Sequence, residues 1–228
     1  MQTTFPEQAL EKRQALLEAV ESLRTVLESS ADEAESIGTL PAATVDAIYA
    51  TGLFSFKTPR ILGGAEADAM TQLAVIEAAS RIDPAAGWCL MIGAGTLANI
   101  GAFASDEAID HIFLDGKPPK AAGVAAPSGE ALMVEGGYKV SGRWSFASGI
   151  RHSEWVAGGA VVQNPGDSVP QQIRLVVPID QVHIHDNWQV VGLKGTGSCD
   201  YSLSDVFVQD KFTWPGAEPK PRRGGANF

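Results

Sequence analysis

The side chains best equipped for chemistry in this sequence fall between Gly142 and Gly149, where Trp144, Ser145, Phe146 and Ser148 set large aromatic faces beside hydroxyls. Gly149 ends the run with a residue that tolerates close backbone approach. Such a surface suits a flat ligand with a polar edge. Just upstream, Gly136-Gly137 is a two-residue turn between the alternating runs 131–135 and 138–140, a hairpin signal. Ser141-Gly142 adds a second punctuation.

Other groupings point less far. His183 and His185 lie two apart on an expected strand, so both imidazoles share a face, and Asp186 follows. No third and fourth ligand is spaced to complete a metal site, so none is expected. His111 and His152 are isolated. Residues 93–98, GAGTLA, match G-x-G-x-x-A after an apolar run. A dinucleotide fingerprint needs a preceding strand and a βαβ unit, whereas both flanks here read as helix, so close helix packing is the better account. Residues 191–200, VGLKGTGSCD, precede an alternating run. They read equally as a glycine loop between strands or as a nest of backbone N–H groups for a phosphate or carbonyl. No serine sits in G-x-S-x-G, which argues against a serine hydrolase, and spacing alone identifies no carboxylate pair for glycoside chemistry.

The elements that must position these groups change character part-way along the chain. Residues 7–37 carry Leu10, Leu16, Leu17, Val20, Leu23, Val26 and Leu27 at helical spacing, which predicts one long amphipathic helix. Pro41 opens a second helix that Gly52 stops. Residues 52–64 read as a loop bearing Phe54 and Phe56. A third helix covers 67–81, Asp83-Pro84 caps a fourth that runs through Trp88 towards Phe103, and Ser105 opens a short fifth closed by Asp115-Gly116. After Pro118-Pro119 the pattern is strands and turns: 121–126, 131–135, 138–140, 155–163, 172–177, 182–184 and 201–208, with turn formers at 164–167 and 195–197. Helices segregated before strands predict an α+β fold, with an all-α N-terminal domain over residues 1–117 and a β-barrel or sandwich middle domain over 118–213. Lys220, Arg222 and Arg223 among prolines and glycines make 214–228 a flexible tail.

Bulk composition narrows the partners. A formal net charge of −10, with no basic stripe, argues against nucleic acid. Cys89 and Cys199 are too few for a disulfide scaffold, so a reducing, cytoplasmic setting is expected. The longest apolar stretch, 88–104, is interrupted by Gly93, Gly95, Thr96, Asn99 and Gly101, and reads as a buried helix rather than a membrane span.

Five stretches, in order, resemble the N-terminal and middle domains of the acyl-CoA dehydrogenase superfamily, and most of all its two-component flavin-dependent monooxygenases. They are residues 53–64 (LFSFKTPRILGG), 82–88 (IDPAAGW), 136–149, 191–200 and 205–208 (DVFV). The resemblance implies a flavin, FAD or FMN, lying against the middle domain. It makes Trp144, Ser145, Phe146 and Ser148 the flavin contacts, with Ser148 nearest N5, and Trp88 a further aromatic neighbour from the helical domain. Donors fixed at that edge would meet the charge that develops there. The implied reaction uses reduced flavin and oxygen on a small organic substrate. The alternatives are an acyl-CoA dehydrogenase oxidising a CH–CH bond with FAD, and a non-catalytic flavin-binding or interaction module. Where monooxygenase relatives often carry a histidine after the G-W pair, this chain has Thr96. Family members continue into a C-terminal four-helix bundle that completes the site, so with an end at Phe228 the expectation is that the bundle is absent and no catalytic base is assignable. The implied partners are a flavin reductase or a separate helical subunit, in an oligomer.

Overall fold

The computed structural model describes residues 5–163 and 170–225. The turn expected at 164–167 lies outside them. Among the described residues six α-helices come first: α1 (Ala9–Ser22), α2 (Arg24–Ile37), α3 (Ala42–Ala50), α4 (Ala69–Ile82), α5 (Pro84–Phe103) and α6 (Asp106–Ile112). The single long helix expected over 7–37 is two helices. The Leu23 N–H bonds to Val20 O, and Ser22 Oγ donates to Ala19 O, a tightened turn with a hydroxyl competing for a helical carbonyl. The Asp83 carboxylate accepts from Ala85 N at 2.9 Å with Pro84 in the first turn, so the cap read from sequence starts α5. That helix is long and apolar enough to cross a membrane by length and composition, yet most of it is buried against α4 and the first strand. Its glycines do the work of packing: a Cβ at Gly93 would sit 3.3 Å from Ala121 O.

Eight strands follow: β1 (Ala121–Gly123), β2 (Gly129–Val134), β3 (Gly137–Ala147), β4 (Trp155–Val162), β5 (Gln172–Pro178), β6 (His183–Ile184), β7 (Cys199–Gln209) and β8 (Thr213–Pro215). They form one mixed sheet in the order β6-β7-β3-β2-β4-β5-β8, with β1 and β2 laid end to end, both parallel to β4. The sheet curls until β5 and β7, well separated in that order, touch across a core of Trp144, Tyr201, Val140, Ile150 and Leu175. This is the helical-then-β architecture expected. A third apolar cluster joins the two halves, with Leu97, Ile100, Ile112 and Phe113 from the helices against Ala121, Val176 and Trp214.

Two expectations for the β half need correction. Ser141-Gly142 does not interrupt β3. The irregularity is on the facing strand, where Asp205 at φ 53° is the extra residue of a bulge between the pairs Val140–Val206 and Gly142–Leu203. Nor are residues 214–225 of the expected tail free. Trp214 pairs with Arg174 in β8 and is 8% exposed. Beyond it, the Arg222 and Arg223 backbone N–H groups bond to Ala102 O, and the Arg223 guanidinium reaches Gly101 O, Ala104 O and the Asp106 carboxylate. Carbonyls at the C-terminal end of α5 have no intrahelical partner, which is why a buried arginine docks there.

Candidate flavin site at the helix–sheet seam

The end of β3 carries the site because its alternation fails there. Trp144 lies opposite Tyr201 and Ala147 opposite Cys199, so β3 inserts one residue more than β7 over that interval. Phe146 takes up the insertion at φ 69°, a left-handed conformation that costs an aromatic residue roughly 1–3 kcal/mol and marks a site under constraint. Asp200 holds it there, accepting from Phe146 N at 3.4 Å and from Arg143 Nε at 2.9 Å. Burial alone would raise the Asp200 carboxyl. Bonds from Asn187, Arg143, the Phe146 N–H and Ser145 outweigh it and hold the group below its ordinary value.

The bulge separates the four residues singled out on this strand. Trp144 belongs to the core: it is 0% exposed, its Nε1 donates to Gly159 O at 2.8 Å, and its ring stacks on Tyr201 with centroids 4.9 Å apart. Gly129 leaves the slot its ring fills, since a Cβ there would come within 2.3 Å of it. The expected flavin contact at Trp144 is therefore withdrawn, because no face of the ring reaches the surface. Ser145 is exposed but bonded to Asp200. Phe146 points outward, 68% exposed, with its edge near Trp188 at 6.0 Å. Ser148 turns back to the seam, where its Oγ accepts from Trp88 Nε1 on α5 at 2.8 Å.

Sequence reasoning missed the residues behind Ser148. Its Oγ lies 2.8 Å from Ser198 Oγ, which lies 2.6 Å from Thr196 Oγ1, which donates to Leu193 O at 2.9 Å. All three hydroxyls are buried. Thr196 and Ser198 come from the 191–200 stretch, read beforehand either as a plain loop or as a nest. A nest over 195–197 is closed off, because Gly195 N donates to Glu35 Oε1, Thr196 N to Leu193 O and Gly197 N to Lys194 O, and Cys199 N donates to Gly197 O. The only signal of a role lay in glycines alternating with hydroxyl-bearing residues at 195–198, and that is too common to single out. The loop docks on α2, where a Cβ at Gly195 would meet Ala34 Cβ at 2.9 Å. Cys89, from α5, donates to Thr196 O at 3.6 Å; burial pushes its thiol far above the ordinary range, so it is inert.

One stripe of α5 leads away from this cluster. Trp88, Met91, Ile92, Gly95, Thr96 and Asn99 remain accessible on a helix otherwise buried between its two end residues, and the seven-residue step from Trp88 to Gly95 spans about 10 Å. The far end of the stripe lines a cavity of about 560 Å³, closed on the sheet side by Gly123, Val124, Ala125, Ala157 and Trp214. Lys57 and Arg174 are its charged residues, and the lining includes no carboxylate. Burial lowers the pKa of both, and among the described residues neither is in an ion pair. The Arg174 guanidinium donates to Ala125 O. His183 and His185 meet edge to face at 4.7 Å, and among the described residues no group of three or more His, Cys, Asp or Glu side chains is placed to hold a metal ion.

Helices packed on a curled sheet, with an exposed aromatic and a hydroxyl at their seam, define the class to which this architecture belongs. Residues 10–113 match the family model described as "Acyl-CoA dehydrogenase, N-terminal domain". The chain belongs to the acyl-CoA dehydrogenase superfamily, as its N-terminal and middle parts, and stands with the two-component flavin-dependent monooxygenases. It is 30% identical to the pigment production hydroxylase of Rhodococcus sp. (strain ATCC 21145) over 90% of this chain and 52% of the relative. It is likewise 30% identical to the flavin-dependent monooxygenase, oxygenase subunit HsaA, of Rhodococcus jostii (strain RHA1), over 84% of this chain and 50% of that protein. Among solved structures, XiaF from Streptomyces sp., in complex with FADH2 and glycerol, superposes with a TM-score of 0.83 at 31% identity, covering 91% of this chain and 52% of XiaF. The chain spans about half the length of the curated relatives it matches.

Proposed function

We propose that this chain forms the flavin-holding part of a monooxygenase of the two-component kind, taking reduced FAD or FMN from a separate flavin reductase. The observation that carries this is the Phe146 ring, held outward at φ 69° within two residues of the Trp88–Ser148 bond. An aromatic kept exposed at a conformational cost has a ligand's flat face as its natural partner. Phe146 and Trp88 would cover the ring system, and Ser148 would meet its N5 edge. When bound, reduced flavin supplies the electrons that activate oxygen for insertion into a small organic substrate. The residues here bind and orient it and keep water from the seam. The relatives' printed names, an oxygenase subunit and a hydroxylase, and XiaF solved with FADH2, support the same reading.

The cavity along α5 is the substrate end. Two half-buried cations with no carboxylate beside them favour a substrate bearing a carboxylate or phenolate, since pairing recovers part of what their desolvation costs. Fluorescence titration with FMN and FAD, oxidised and anaerobically reduced, tests the flavin assignment. Quenching with saturable binding is expected, and an absence of binding to all four forms overturns it. Lys57→Met is expected to weaken binding of benzoate several-fold while leaving benzamide unaffected; equal effects on both would remove the charge from the explanation.

A further inference from the structure

The bonds from Trp88 through Ser148, Ser198 and Thr196 to Leu193 have a favoured direction. An indole N–H can only donate and a backbone carbonyl can only accept, while each hydroxyl has one proton and two lone pairs. Thr196 Oγ1 gives its proton to Leu193 O at 2.9 Å. The proton in the 2.6 Å contact between Thr196 and Ser198 therefore comes from Ser198. With that proton committed, the 2.8 Å contact between Ser198 and Ser148 takes the proton of Ser148. At the other end Trp88 Nε1 donates into one lone pair of Ser148. Ser148 is left with its proton turned inward and one lone pair free. The opposite direction gives up the Thr196 Oγ1–Leu193 bond; Leu193 O keeps those from Thr196 N at 3.1 Å and Trp188 Nε1 at 3.4 Å, so the bias is the worth of one neutral hydrogen bond.

Building on the flavin reading above, we propose that Thr196 and Ser198 are positioning residues that fix Ser148 as a hydrogen-bond acceptor, so that the site selects reduced over oxidised flavin. N5 of reduced flavin carries a hydrogen and donates, which the free lone pair of Ser148 accepts. N5 of oxidised flavin has only a lone pair, and opposite Ser148 it meets another lone pair unless the whole hydroxyl chain reverses. The selection resides in the direction of a proton chain, two residues back from the ligand.

The experiment compares dissociation constants for oxidised FMN and for dithionite-reduced FMN under anaerobic conditions, in the wild-type chain and in Thr196→Val, Thr196→Ser and Ser198→Ala, each checked for fold by circular dichroism. Wild type is expected to favour the reduced form. Thr196→Val keeps the shape but cannot accept from Ser198, so the chain is free to reverse; the reduced-to-oxidised affinity ratio should fall about fivefold, the scale of one neutral hydrogen bond. That corresponds to a two-electron midpoint potential of bound FMN about 20 mV lower. Ser198→Ala should lower the ratio similarly, and Thr196→Ser should restore it. A loss of packing alone would weaken both redox forms together and leave the ratio unchanged. An unchanged ratio in Thr196→Val and Ser198→Ala, or no preference in wild type, overturns the proposal while flavin binding stands. Binding of neither form by wild type overturns the flavin reading itself.

Discussion

The two faces of the β3 terminus use the same residue types for opposite ends. On the inner face, Trp144 stacks on Tyr201 at 4.9 Å, and both polar atoms of the pair are satisfied by backbone carbonyls, Gly159 O and Ala157 O. On the outer face, Phe146 has no such stacking partner, sits in a strained backbone conformation and is 68% exposed. Two residues apart, a regular strand would have sent both rings to one side. The inserted residue in the bulge sends one inward to stabilise the fold and leaves the other out, where its surface is available to a ligand. Aromatic composition therefore says little about role at this position, and backbone geometry says nearly everything.

Substitutions can break that division. The largest effect expected is that of Trp144→Ala, which should destabilise the fold by about 3–5 kcal/mol, read by chemical denaturation. A loss below about 1 kcal/mol would put Trp144 outside the core. The next involves His152, which lies beneath Gly149 with its ring near Phe54 and its Nδ1 buried without a partner. Burial, with Lys120 adding to it, depresses its pKa to about 4 from 6.5. The folded state therefore favours the neutral ring, so this contribution to stability is present above pH 6.5 and drains away as pH falls towards 4. Up to about 3 kcal/mol is at stake over that window. Thermal melts of wild type and His152→Gln from pH 7 to 4 should show a shallower acid slope in the variant; parallel curves would mean that His152 titrates freely.

On the outer face the effects on folding should be small and those on binding clear. Ser148→Ala is expected to weaken binding of reduced FMN about tenfold, or 1.4 kcal/mol, with secondary structure intact. Unchanged affinity would take Ser148 out of the site. The smallest effect sharpens the contrast most. Phe146→Gly removes the cost of φ 69° and should raise stability by about 0.5–1 kcal/mol while lowering flavin affinity, so that calorimetry and titration move in opposite directions. If both fall together, Phe146 is part of the core after all.

Much of this was legible in the sequence because the governing physics is local. Helical spacing located α3 to α6, Asp83-Pro84 marked the start of α5, and alternation with turn residues located most of the sheet. Family resemblance, rather than any local pattern, put Trp88 and Ser148 at one flavin site, while the bond between them, 60 residues apart in sequence, came only with the tertiary structure. The failures share one cause. Trp144 passes for a ligand contact because facing residues are hidden in a linear reading, and the glycine of β2 that makes room for its ring lies in another strand. Residues 219–225 pass for a loose tail because the α5 carbonyls that hold Arg223 are more than 100 positions away.

By itself the sequence determined the class of fold, the order of its elements and the superfamily, since these follow from periodicity, capping and ordered motifs along the chain. Only the tertiary structure decided which aromatic of the Trp144–Phe146 pair faces a ligand, and which way the Ser148 proton points. The first depends on a register mismatch between β3 and β7, and the second on a carbonyl at Leu193 and an indole from α5. Both are contacts between segments whose proximity no local rule encodes.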